Sequence, residues 1–298
     1  MCGIVGLFIK DPKLEPRLGE LLARMLEVMS DRGPDSAGFA VYGAGRPGFV
    51  KLSLRLPASV PGDAVTAALA DAFGDIAPVT RDTHVIVEVP AGREAEARAL
   101  LAEKFPAVTV VGAGARMEIY KEVGLPKAVA SRFGLPSMAG SHGIGHTRMA
   151  TESAVTTNGA HPFSTGRDQC LVHNGSLSNH NDMRRRLVKE GVRIETENDS
   201  EVAAGYLTWR LDKGEALNDA LTSALSALDG FFTFVVGTET GFGVLRDPIA
   251  CKPAVMAETD EYVAFGSEYR ALAHLPGIEN ARVFEPEPAT VYFWERAA

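Results

Sequence analysis

The sequence predicts a layered α+β fold, and three observations carry that expectation. Runs of β-prone residues recur from residue 3 to residue 294. Amphipathic helical stretches are gathered in groups rather than alternating strictly with the strands. A middle segment, residues 52–138, has a β-α-β pattern of its own.

The elements can be justified in order. GIVGLFI (3–9) is an apolar run of strand length and reads as a core strand. Asp11-Pro12 offers an N-cap followed by a proline suited to the first helical position. Leu14, Leu18, Leu21, Leu22, Met25, Leu26 and Met29 then recur at helical steps along one face. DRGPDSAG, a set of turn formers and charges, ends that helix, and 39–42 and 49–54 read as two strands joined by the GAGRPG turn.

Within 52–138, HVIVEV (84–89) reads as a strand, REAEARALLAEKF (93–105) as a helix and VTVVG (108–112) as a strand. Two Gly-Leu-Pro triplets in 124–138 suggest a linker back to the main body, so the segment is taken as an inserted subdomain. The body is then 1–51 joined to 139–298. Residues 139–200 are polar and loop-rich, with strands near 143–149 and 169–173, a texture that often carries function. Helices follow near 180–190, 200–212 and 216–228. Strands follow at 231–237 and near 242–247, 253–257, 262–266 and 289–294.

The chain of 298 residues is long enough to bury a large core, and its formal charge of −8 argues against nucleic acid or an anionic membrane as partner. Its three cysteines, Cys2, Cys170 and Cys251, lack the spacing of a disulfide framework or a zinc site. A reducing cytoplasm is the expected location. The opening MCGIVGLFIK is too short for a secretory signal and lacks a basic flank, and no apolar run is long enough to span a bilayer.

Five short stretches suit one chemistry: MCGI (1–4), DRGPDSAG (31–38), GHTRMAT (145–151), HNG (173–175) and NDSE (198–201). In this order they resemble the class II glutamine amidotransferases, which are N-terminal-nucleophile hydrolases. RDPIACKPAV (246–255) and GSEYRAL (266–272) resemble the closing segments of that family. The resemblance covers about 1–51 and 139–298. It implies a four-layer αββα sandwich, two stacked sheets between helical layers, with the small α/β subdomain inserted.

The resemblance makes Cys2 the nucleophile, exposed once Met1 is removed. An N-terminal cysteine carries its own base, because an α-amine has a pKa near 7.7–8.0 and a thiol one of about 8.5. The plain alternative is a structural cysteine at the start of a strand. Arg148 is implied to hold the substrate α-carboxylate with its planar fork, and Thr151 to add a hydroxyl contact; the alternative for Arg148 is a structural ion pair. Met149 stands where the family usually has an aromatic residue. Asp199 matches the acidic residue that binds the substrate α-ammonium, or is a helix N-cap. Asn174 and Gly175 match an oxyanion hole, or form an ordinary Asn-Gly turn. Arg32 is expected close to Cys2, unless it forms a salt bridge within its own loop.

His142, His146, His161 and His173 lack an acidic partner at zinc-like spacing, so no metal is expected. Cys170 and Cys251 are expected in the core, and Arg184–Arg186 on a solvated helix face. The implied reaction is hydrolysis of L-glutamine to glutamate and ammonia through a Cys2 thioester. Among members that stand as separate chains, the pattern is most similar to the amidotransferase subunit of N-methylglutamate synthase. That likeness implies a hetero-oligomer whose other subunits carry flavin and iron–sulfur clusters and act on glutamate and methylamine, with no cofactor in this chain. The alternatives are the glutaminase subunit of another ammonia-dependent synthase and a non-catalytic glutamine-binding scaffold.

Overall fold

A computed structural model of the chain describes residues 2–150 and 154–296. The first part of the chain runs β1 (Gly3–Ile9), α1 (Leu18–Glu27), β2 (Ser36–Tyr42) and β3 (Phe49–Arg55). The middle follows as α2 (Gly62–Phe73), β4 (Val79–Arg81), β5 (His84–Pro90), α3 (Glu94–Lys104), β6 (Thr109–Gly114), β7 (Met117–Val123) and α4 (Pro126–Arg132). Then come β8 (His142–Arg148), β9 (Phe163–Gly166), β10 (Gln169–Leu177), α5 (His180–Lys189), α6 (Asp199–Asp212) and α7 (Leu217–Ala227). The chain closes with β11 (Gly230–Gly237), β12 (Gly241–Arg246), β13 (Val255–Glu258), β14 (Tyr262–Gly266), β15 (Arg282–Phe284) and β16 (Thr290–Glu295).

Among the described residues these strands form three sheets. The first has seven strands in the order β15-β13-β14-β1-β8-β2-β7, and the second five in the order β16-β12-β11-β10-β9. The two pack face to face through Ile4 and Phe8 of β1, Tyr42, Ile144, Val172, Val235, Phe242 and Val244. The opposite face of this sheet is covered by α1 over Val5, Leu7 and Ile9 of β1 and by α4 over β2 and β7. The outer face of the second sheet, with Leu171, Phe234, Val236 and Leu245, is covered by α5, α6 and α7. Because β1 is buried on both faces, its sequence is a continuous apolar run rather than an alternating one. Gly6 makes room for the facing sheet: a Cβ there would lie 2.7 Å from the Phe242 ring. This is the αββα sandwich.

The third sheet, β4-β5-β3-β6, has its own core, built by Val50, Leu52, Leu54, Val65, Leu69, Val87 and Leu101 with α2 and α3. The subdomain boundaries of 52–138 therefore move. β3 pairs with β5 and β6, whereas β7 pairs with β2 along its length, from Ser36 with Val123 to Tyr42 with Met117. The subdomain spans about 49–114, and 117–138 returns to the body. β2 and β3 are not a hairpin; they enter different sheets. The Gly-Leu-Pro triplets are not a linker either. Pro126 starts α4 at its first turn, where a missing N–H costs nothing, and Gly134 takes the left-handed conformation before a short 3₁₀ turn. Asp168 ties the subdomain's exit to the body, accepting the N–H groups of Ala115, Arg116 and Met117 at 2.6, 2.9 and 3.1 Å. Among the described residues no helix is long and apolar enough to cross a membrane.

Candidate active site

Cys2 stands half-buried at the mouth of β1, and three separate segments fix it. The Ile4 N–H donates to Ser267 Oγ at 2.9 Å, and the Ser267 N–H returns a bond to the Ile4 carbonyl at 2.9 Å. Arg32, in a 3₁₀ turn after α1, donates from Nε to the Cys2 carbonyl at 3.0 Å. Asn174, on β10, donates from Nδ2 to that same carbonyl at 3.3 Å. The sulfur lies 3.9 Å from the Met149 carbonyl, just beyond Arg148. Cys2, Arg32, Asn174 and the end of β8 thus meet at one point.

Arg32 does not pair within its own loop. Its Nη1 donates to Glu268 at 2.7 Å, and Arg270 reaches the other oxygen of that carboxylate at 2.6 Å. These charge-assisted bonds carry Arg32, buried but for its edge, to the Cys2 backbone. The DRGPDSAG loop also grips the strand that ends in Arg148. Asp35 donates its N–H to the Arg148 carbonyl at 3.1 Å and accepts the Ala150 N–H at 2.8 Å. Gly33 lies flat on that strand, where a Cβ would fall 2.4 Å from the Thr147 carbonyl carbon. Arg148 itself is buried, with Nη1 donating to the Ala154 carbonyl at 3.3 Å. Thr151 lies outside the described residues.

Asp199 is the first residue of α6, yet it does not cap that helix. Asn198 does, accepting the Ser200 N–H at 2.9 Å. Asp199 instead bridges to β10, accepting the Leu177 N–H at 2.9 Å. Burial pushes its carboxyl up, but the His173 ring, 3.7 Å away, and the Leu177 N–H outweigh burial and hold it at about 2. It is an anion at any physiological pH, partly exposed, and its partner Leu177 lies two residues beyond Gly175 on β10.

Gly175 shows why the HNG sequence needs its glycine. Its φ is +153°, and a Cβ would fall 2.0 Å from the Phe231 carbonyl oxygen and 2.8 Å from His173 Nε2. Asn174-Gly175 is therefore not a turn. Both residues lie inside β10, paired with Thr233 and Phe232 of β11. Gly175→Ala is expected to displace the strand beside Asn174, because a backbone oxygen cannot move aside as a flexible side chain can. If this pair is the oxyanion hole that the motif resemblance implies, the expected loss of activity is about 100-fold or more, the scale of losing one oxyanion donor. Steady-state kinetics with a thermal melt checks it; a folded variant within threefold of the parent would contradict this geometry.

The other cysteines differ from each other. Cys170 is buried beside the Tyr42 hydroxyl, and burial raises its thiol to about 12. Cys251 is exposed, against the core position expected for it. Asp247 accepts the N–H groups of Ile249 and Ala250 at 2.8 and 3.2 Å, and the resulting turn throws the next residue outward. The arginines of α5 are only partly a solvated face: Arg184 pairs with Glu197 at 2.6 Å, and Arg186 lies over the Trp209 ring.

The sequence reading missed several residues that build the site. Ser267 and Glu268 sit in a segment quoted only for its likeness, and Asp35 in a loop read for its turn formers and for Arg32. Ser200 and His161 meet at 2.8 Å beside Asp199, thirty-nine residues apart in sequence, with nothing in their spacing to pair them.

A sequence profile described as a glutamine amidotransferase domain matches residues 146–274. The chain is 63% identical over 296 residues to the glutamine amidotransferase-like protein GlxB of Rhizobium meliloti (strain 1021), covering 99% of this chain and 98% of that one. It is 32% identical to a protein of Methanothermobacter thermautotrophicus provisionally named a glutamine amidotransferase, covering 98% of this chain and 99% of the relative. Its fold matches that of the solved glutamine phosphoribosylpyrophosphate amidotransferase from B. subtilis with a TM-score of 0.63 at 19% identity. The match covers 99% of this chain and 47% of that longer one, so this chain spans about half of that protein. On its full-length relatives and its αββα fold, the chain belongs to the class II glutamine amidotransferases.

Proposed function

We propose that this chain hydrolyses L-glutamine to glutamate and ammonia through a thioester on Cys2, and hands the ammonia to a synthase on other polypeptides. The observation that carries this reading is the convergence of Arg32 and Asn174 on the carbonyl of Cys2, with the sulfur beside the end of the Arg148 strand. With Met1 removed, the Cys2 α-amine takes the thiol proton and the sulfur attacks the side-chain amide carbon. The Asn174 amide and the Gly175 N–H donate to the oxygen that becomes charged. The amine then passes its proton to the departing nitrogen, ammonia leaves, and the thioester remains. Water, deprotonated by the same amine, attacks the thioester and releases glutamate and the thiol. Arg148 takes the α-carboxylate in this reading, Thr151 adds a hydroxyl, and Asp199 takes the α-ammonium.

The acceptor proposed is a glutamate-synthase-like complex, N-methylglutamate synthase, with flavin and iron–sulfur clusters on its other subunits. The likeness of MCGIVGLF, DRGPDSAG and GIGHTRMATE supports this choice. Two measurements test the proposal. A glutamine analogue with a diazoketone in place of the amide is expected to label the protein once, on Cys2, although Cys251 is the more exposed thiol. Labelling of Cys251 alone, or a mature chain still beginning with Met1, would remove the mechanism. Isolation of the native complex then reports the partners; a companion set without flavin or iron–sulfur protein would remove the acceptor.

A further inference from the structure

Behind β10 lies a buried polar cluster that the proposed chemistry does not use. Ser200 Oγ is 2.8 Å from His161 Nε2, 2.9 Å from His173 Nδ1 and 3.3 Å from Asp199 Oδ1. His146 stacks on His161 with ring centroids 3.9 Å apart, and its Nε2 is 3.0 Å from the His173 carbonyl. All three rings and Ser200 are buried.

Counting protons decides who donates to whom. The His146 partner is a carbonyl, so Nε2 carries the proton. His161 Nδ1 and His173 Nε2 are buried with no hydrogen-bond partner. Buried N–H groups without an acceptor are rare in folded proteins, whereas acceptors left short of a donor are less so. Each ring therefore keeps a proton on its partnered nitrogen: Nε2 of His161 and Nδ1 of His173. Both donate to Ser200 Oγ and fill its two lone pairs. The single hydroxyl proton must then go elsewhere, and the acceptor in reach is Asp199 Oδ1.

We infer that Ser200 is a positioning residue that aims Asp199 at the α-ammonium group of the substrate, an inference that rests on the role proposed for Asp199. One carboxylate oxygen is held by the Leu177 N–H and the other by Ser200, so the carboxylate plane is set by β10 and α6 together. The same cluster reaches the oxyanion side. His146, packed on His161, holds the peptide carbonyl immediately before Asn174. Recognition of the substrate amine and the register of Asn174 therefore share one rigid support.

Two experiments test this separately. In the wild-type protein with ¹⁵N-labelled histidine, long-range ¹H–¹⁵N spectra are expected to show His161 protonated on Nε2 and His173 on Nδ1. The opposite tautomer on either ring overturns the inference, whatever the chain catalyses. In kinetics, Ser200→Ala is expected to raise KM for glutamine about tenfold while kcat stays within about threefold. Glutaramate, which lacks the α-amine, is expected to be hydrolysed equally by parent and variant, and Ser200→Thr to restore glutamine KM. Equal losses on both substrates would reduce Ser200 to a structural residue and overturn the inference. A wild-type protein that hydrolyses neither amide would instead defeat the Cys2 proposal, with the tautomer result still deciding the cluster.

Discussion

Cys2→Ala is expected to abolish glutamine hydrolysis, with a loss on the order of 10⁴-fold or more, the scale seen when a covalent nucleophile is removed. The variant is expected to bind glutamine still, because Arg148 and Asp199, the residues proposed to hold it, belong to other segments and the Cys2 sulfur lies 3.9 Å from the Met149 carbonyl. Adding one residue before Cys2 is expected to cost as much, because the free amine is then an amide with no basic lone pair. Cys251→Ala is the control, and full activity is expected there. Single-turnover ammonia release together with calorimetric glutamine titration checks the set. Retention of more than a tenth of parental turnover in Cys2→Ala would end the nucleophile assignment.

Steep loss of stability is expected as the pH falls below about 6. Burial pushes His84, His142 and His146 down to about 3, and His161 well below its ordinary value. Hydrogen bonding agrees with neutral rings: His142 donates to the Thr238 carbonyl and meets Ser141 Oγ, while His84, His146 and His161 each have a second nitrogen without a partner. In the unfolded chain these rings titrate near 6.5. As the pH falls through that value the unfolded chain takes up protons that the folded chain refuses, so unfolding is favoured. Each ring contributes about 1.4 kcal/mol per pH unit at the limit, so four rings contribute about 5 kcal/mol between pH 6 and 5. Total stability is typically about 5–15 kcal/mol, which places acid unfolding near pH 4–5.

Asp199 does not enter until lower pH. Its carboxyl is held at about 2, so its stabilising share is whole above its unfolded value near 3.9 and is lost as the pH falls toward 2. The urea midpoint measured between pH 7.5 and 5 checks the histidine effect. A flat midpoint, or an uptake of less than one proton on unfolding at pH 5, would contradict it.

Particular residues show how far the sequence reached. The strand at 3–9, the helix after Asp11-Pro12 and the helical runs of the second half were legible, because each carries its periodicity or its caps locally. The small subdomain was legible as a change of texture, but its edges were not. MEIYKEV of β7 belongs to the body because it finds β2 across a separation of about eighty residues, and strand pairing has no local signature. Pro126 was taken as punctuation, whereas at the first turn of a helix proline is compatible with continuing structure.

By itself the sequence determined which chemical groups are available: a thiol at position 2, an amide and a glycine in HNG, the Asp199 carboxylate in NDSE, and the arginines of DRGPDSAG and GHTRMAT. Its periodicities determined a layered α+β fold with β1 covered on both faces, and the αββα order came only as what the motif resemblance implied. Tertiary structure alone decided that Arg32 spends its charge on Glu268, that Asn198 and not Asp199 caps α6, and that Ser200 has one proton to give and one place to put it. The reason is physical. Propensity and periodicity act over a few residues, whereas a buried donor or acceptor is satisfied by whatever the packing of distant strands brings within about 3 Å.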